Sequence, residues 1–213
     1  MSEIDFKVLD VKAQPYAATP TLVFRLRIEE PSGAVIHSIS LHCQIRIEPQ
    51  RRRYSKVEEE HLRELFGVAP QWGDTLKPFL WTHVDTMVRG FQGCTEIDLH
   101  VPCTYDFEVA AAKYFHSLGD GDIPLLFLFS GTVFAKADTG LSVSQLAWHK
   151  DATYRMPVKV WREVMDRYFP GGGWLRLHRD TLDALLKFKA RWALATWDQV
   201  IEVLLKSAGE SAA

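Results

Sequence analysis

Arg51-Arg52-Arg53-Tyr54 is the densest cationic run in the chain. Planar guanidinium groups present forked donors, so a triplet of this kind can grip a phosphate or a carboxylate. It follows the apparent strand end Ile47-Glu48-Pro49, and its plain alternative is an exposed connection kept solvated by charge. A second group places Arg162, Arg167, Arg176 and Arg179 among Trp161, Tyr168 and Trp174. Residues 150–191 carry ten Lys/Arg against five Asp/Glu. Such a mixture can stack on bases or hold an acidic partner. Helical spacing also explains the aromatics as the buried stripe of an amphipathic helix with a solvated charged face. The chain as a whole has a net charge of -2, which disfavours nucleic acid and leaves an acidic protein surface as the better partner. The candidate contacts are Arg51, Arg52, Arg53, Arg162, Arg176 and Arg179, with Trp174 as an aromatic anchor.

Metal and catalytic chemistry find less support. Cys94, His100 and Cys103 are close in sequence and His42-Cys43 are adjacent, but no C-x2-C or H-x3-H pair occurs. Strand alternation turns Cys43 and Cys103 toward a core and His42 and His100 away from it, so no metal is expected and the two thiols read as small core hydrophobes. Ser130-Gly131 lacks a nucleophile elbow, and Gly171 to Gly173 match neither phosphate-loop spacing. Asp106, Glu108 and His83 form a polar trio of no particular pattern. A ligand between sheet and helices near Trp81, His83, Trp148 and His149 is the small-molecule alternative. No cofactor is implied.

The elements that must position these residues are mostly strands. Leu22, Phe24, Leu26 and Ile28 alternate with Arg25, Arg27 and Glu29. Val35, Ile39, Leu41, Cys43, Ile45 and Ile47 alternate with Ser38, Ser40, His42, Gln44 and Arg46. Ile97 to Phe107 repeats the pattern. Period-two patterning of this kind places one face on a core and the other in water, as in antiparallel sheets. Glu30-Pro31-Ser32-Gly33 is turn chemistry and predicts a hairpin between the first two. Segments 4–11, 79–88, 124–134 and 141–148 supply further strands, the first with a phase change at Val8-Leu9 and the third buried on both faces. Asp138-Thr139 lies in the turn before the last.

Helices are marked by their caps. Ser55 and Glu58 form a capping box for a helix running to Phe66 and stopped by Gly67, and residues 108–118 predict another. Pro157 opens a helix to Pro170, stopped by Gly171-Gly172-Gly173; a further helix starts near Asp180, and Thr196 with Gln199 caps the last. The fold class is therefore α+β, a mainly antiparallel β-sandwich of about seven strands. The expected organisation is a sandwich over 1–150, a helical segment packed on it over 151–208, and a frayed tail over 209–213.

With 213 residues, 47% hydrophobic and 24% charged, the composition is that of a globular protein with enough chain for a sizeable core. The longest apolar run, 123–129, is strand-sized rather than membrane-spanning. The first residues lack a secretory signal pattern, and three unpaired cysteines fit a reducing compartment. A cytoplasmic location is expected, and a homo-oligomer is open.

Six stretches, CQIRIEPQRRRY at 43–54, LWTHV at 80–84, VPCTYDFEVAAAKYFHSL at 101–118, PLLFLFSGTVF at 124–134, VKVWREVMDRYFP at 158–170 and WLRLHRDTLDALLKFKAR at 174–191, together resemble an uncharacterised bacterial family. Its members resemble accessory proteins often encoded beside uptake nickel–iron hydrogenases. The resemblance implies a non-enzymatic role in assembling, protecting or docking such an enzyme, and no catalytic residue. The order of strands followed by terminal helices is also similar to that of the export chaperone SecB, a likeness of topology alone.

Overall fold

The computed structural model describes residues 4–104, 106, 109–137, 140–171 and 176–210. Contacts divide the chain into two compact units, Met1–Trp174 and Leu175–Ala213.

The first unit is an antiparallel β-sandwich. Strands β1 (Asp5–Ala13), β2 (Thr21–Glu29) and β5 (Cys94–Pro102) form one sheet in the order β1-β2-β5. Strands β3 (Val35–Ile47), β4 (Phe79–Gln92), β6 (Asp122–Ala137) and β7 (Gly140–Gln145) form the other in the order β4-β3-β6-β7, and β8 (Asp151–Pro157) pairs with the first half of β6. Alternation sets the faces: Ile39, Leu41, Cys43, Ile45 and Ile47 are buried, whereas His42, Gln44 and Arg46 point away. Phe6 stacks on Phe129 at 4.2 Å between ring centroids, and Phe24 meets Phe127 edge-on at 5.2 Å. Each large side chain fully removed from water contributes about 1.5–3 kcal/mol.

The expected bulge in β1 is present between Val8 and Asp10. Two other expectations are corrected. Val35 is exposed and Ile36 buried, because a register shift between Ile36 and Ser38 resets the phase of β3. β2 and β3 are not a hairpin, since they belong to different sheets. Their connection is a corner between the sheets. Glu30 is buried there, its carboxylate accepting from the Ser32 hydroxyl and from the Ala34 N–H at 2.8 Å. Gly93, between β4 of one sheet and β5 of the other, makes a second such corner alongside, and its carbonyl accepts from Glu30 N–H at 2.6 Å.

Helices cover one end of this unit. Ser55 caps α1 (Lys56–His61) with the expected box, followed by α2 (Arg63–Phe66), α3 (Trp72–Thr75) and α4 (Ala110–Ser117). Helix α5 (Val158–Tyr168) buries Val158, Trp161, Val164 and Met165. Trp161 lies 5.5 Å from Phe115 of α4, and Tyr168 donates to the Ala17 carbonyl at 2.7 Å. The aromatic stripe around Arg162 is thus core. The second unit contains α6 (Arg179–Arg191) and α7 (Trp197–Ser207), the latter with the Thr196/Gln199 capping box. Among the described residues, no helix is long and apolar enough to cross a membrane. Residues 105, 107–108, 138–139, 172–175 and 211–213 lie outside the described set, and with them Glu108, the Asp138-Thr139 turn, Gly172-Gly173, Trp174 and the end of the tail.

Candidate functional site: an arginine-lined cleft

β3 ends at Ile47, and a 3-10 turn over Pro49–Arg51 leads into extended backbone at Arg52 (φ -123°, ψ 152°). Extended chain alternates its side chains. Arg52 and Tyr54 therefore turn inward while Arg51 and Arg53 remain exposed. This splits the expected triplet.

Arg52 is an internal tie. Its guanidinium donates to Glu58 Oε1 at 2.5 Å, to the Asp122 carbonyl at 2.8 Å and to the Asp120 carbonyl. Glu58 also accepts from Ser55 N–H and Gly119 N–H, both at 2.8 Å. Burial opposes ionisation of this carboxyl, but the backbone donors of Ser55 and Gly119, together with Arg52, hold its pKa below the ordinary glutamate value. Loop 119–122 is gripped from both sides, and Val158 N–H donates to the Gly121 carbonyl at 2.8 Å. Arg52 also lies over the Tyr54 ring at 5.7 Å. The Tyr54 hydroxyl donates to the Pro49 carbonyl at 2.7 Å and meets the Tyr114 hydroxyl at 2.8 Å. Burial pushes the Tyr114 pKa up to about 12, so both phenols stay neutral donors.

Around this tie lies an open cleft of about 760 Å³, lined by Arg51, Arg53, Ser55, Asp120, Asp122 and Arg155 among others. Arg155 comes from β8, opposite Pro124 of β6. Its Nε is 3.6 Å from Asp122 Oδ2, too long for a hydrogen bond, and its Nη1 makes a long contact of 3.5 Å to the Arg51 carbonyl. Arg51 lies 3.1 Å from Glu48 Oε2, yet that oxygen has no well-aligned donor. Arg53 has no side-chain hydrogen bond or ion pair among the described residues. Three guanidinium groups therefore face the cleft with donors to offer, on a rigid floor.

The remaining candidates lie elsewhere. Arg162 donates to the Leu118 carbonyl at 2.5 Å, closing the end of α4. Arg176 and Arg179 are exposed in the second unit. Trp81 is on the core side of β4, against Phe24 and Phe115, while His83 bonds Gln44 on the outer side and Trp148 is 94% exposed in a turn. The expected ligand quartet does not converge. Cys43 and Cys103 are buried and Cys94 exposed. Among the described residues, no three His, Cys, Asp or Glu side chains gather in a metal-holding group.

One constellation was not visible in sequence. Register aligns Asp85, His42 and Ser130 across β4, β3 and β6, with His42 Nδ1 2.5 Å from Asp85 Oδ1. Ser130 and His42 share no hydrogen bond, so the nucleophile–base contact that would make this a triad is missing. Arg155 was missed as well. Its signal was the alternation Asp151, Thr153, Arg155 against Ala152, Tyr154, Met156.

A family model matches residues 1–213. The chain belongs to DUF6084, a family of unknown function. Membership carries no activity or partner with it. No curated protein matches the chain. Among solved structures, it is similar to a beta-glucosidase from Kluyveromyces marxianus at 10% identity and a TM-score of 0.27, covering 73% of this chain and 15% of that one. Beta-glucosidase 3B from Thermotoga neapolitana gives 14% identity and 0.26, covering 73% and 17%. The chain spans less than a fifth of either enzyme's length, and at such scores the likeness supports no inference.

Proposed function

We propose that this chain is a non-enzymatic accessory protein that docks an acidic segment of a protein partner in the cleft formed by Arg51, Arg53 and Arg155. The observation that carries this reading is the division of labour among the arginines. Arg52 and Glu58 hold the floor, while Arg51, Arg53 and Arg155 line the cleft with donors to spare beyond the loose contacts of Arg51 to Glu48 and of Arg155 to Asp122 and the Arg51 carbonyl. Exposed or loose ion pairs such as Arg155 with Asp122 are worth about 0–1 kcal/mol, so an incoming carboxylate displaces them at little cost. Asp120 and Asp122 also line the cleft and partly offset its charge, so a short segment that sets its carboxylates directly against the guanidinium groups fits better than a continuous polyanion. Arg162 of the first unit, and separately Arg176 and Arg179 of the second, are proposed as contacts in their own right. Resemblance makes a nickel–iron hydrogenase the first partner to test, in the cytoplasm. The experiment is quantitative mass spectrometry of proteins copurifying from the native host at moderate salt. A partner captured by the native chain and lost with Arg51→Glu/Arg53→Glu/Arg155→Glu supports the reading; identical capture by both overturns it.

A further inference from the structure

We infer that β7 is the seam of a symmetric dimer, in which the five-stranded sheets of two copies of this chain join edge to edge. Among the described residues, β7 is bonded along one side only, to β6. Leu146 N–H donates to the Gly131 carbonyl at 2.9 Å, in register with the ladder. Antiparallel pairs alternate between bonded and non-bonded positions. That phase assigns the backbone groups of Ser142 and Ser144 to β6. The N–H and C=O groups of Leu141, Val143 and Gln145 are left facing the open edge.

This free set is symmetric about Val143. Two copies laid antiparallel bring Val143 against Val143 of the second copy and Leu141 against Gln145 of the second copy. Every open group is then satisfied, with about six new backbone hydrogen bonds. Side chains agree with the backbone. Leu141 and Val143 are 58% and 62% exposed on one face, and Trp148, just past the strand, is 94% exposed. Paired, Leu141 and Val143 of the two copies cover one another.

Charge selects a second copy as the occupant. Native edges are commonly guarded by charged side chains, prolines or bulges. β1 has Lys7, Asp10, Lys12 and a bulge, β5 has Glu96 and Asp98, β4 has Asp85 and Arg89, and β8 has Asp151 and Arg155. β7, Gly-Leu-Ser-Val-Ser-Gln, has none of these. A strand identical to itself meets no like-charge repulsion across this seam, and an acidic or basic strand gains nothing there.

The test is sedimentation velocity on the full chain, with far-UV circular dichroism confirming that each variant folds. The native chain is expected to be a dimer. Val143→Lys and Val143→Asp each place identical charges face to face and are expected to be monomers. Mixed in equal amounts, the two should recover the dimer, since lysine then faces aspartate. Leu141→Lys/Gln145→Glu, which pairs opposite charges in the same register, should remain dimeric and become more salt-sensitive. A monomeric native chain at about 100 µM, dimers that survive both single variants, or a mixture that stays monomeric overturns the inference.

Discussion

Arg52 and Glu58 form an ion pair at 2.5 Å with side chains only 7% and 9% exposed. Removing one member of a buried pair leaves the other charged and without its counterion, at a cost of about 3–5 kcal/mol. Arg52→Met and Glu58→Gln are each expected to lose stability of that order in urea unfolding. The double variant should lose less than the sum, because the two share one interaction. Additive losses would mean that the pair does not hold the floor of the cleft.

The same carboxylate makes stability fall in acid. Glu58 is held below the ordinary glutamate value in the fold, whereas the unfolded chain titrates near about 4.3. Its contribution is complete above the unfolded value and is lost as pH falls through the folded one. Urea midpoints measured from neutral pH downward should decline more steeply for the native chain than for Glu58→Gln. Parallel curves would exclude Glu58 as a source of the acid sensitivity.

Thiol chemistry should separate the three cysteines. Burial pushes Cys43 and Cys103 up to about 12, and Cys94 is exposed. One thiol per native chain should react promptly with a disulfide reagent, and the other two at the rate of unfolding. Unfolded thiols ionise near about 8.5, so these two stabilise the fold fully below that pH and progressively less as pH rises toward 12. Prompt reaction of all three would contradict the burial of Cys43 in β3 and of Cys103 just past β5.

Gly131 is required by close approach of β3. At φ +147°, a Cβ there would lie 2.0 Å from the Ser40 carbonyl oxygen. Gly131→Ala should cost about 2 kcal/mol or more. Gly73→Ala, with open space around it in a short helix, should be neutral or stabilise by up to about 1 kcal/mol. Thermal melts of the two variants distinguish these outcomes.

The local parts of this architecture were legible in the sequence. The alternation of β3 from Ile39 to Ile47, the bulge of β1 and both capping boxes follow from side-chain period and short-range hydrogen bonding, which a linear reading captures. The sheet to which β2 and β3 belong does not. Glu30-Pro31-Ser32-Gly33 has hairpin chemistry, but the choice of sheet is made by β4 and β5, some sixty residues away. β8 was concealed because Pro157 suggested only the helix that follows it. In the cleft, three consecutive arginines look equivalent until the extended backbone decides which one turns inward. Arg155 joins them only through its register with β6, about a hundred residues later in the chain.

The most direct measurement is a fluorescence-anisotropy titration of a labelled glutamate-rich peptide with the intact chain, across a salt series. Saturable binding is expected, weakening as salt screens the guanidinium groups and disappearing in Arg51→Glu/Arg53→Glu/Arg155→Glu. Absence of binding at low salt, or equal affinity in the triple variant, would contradict it.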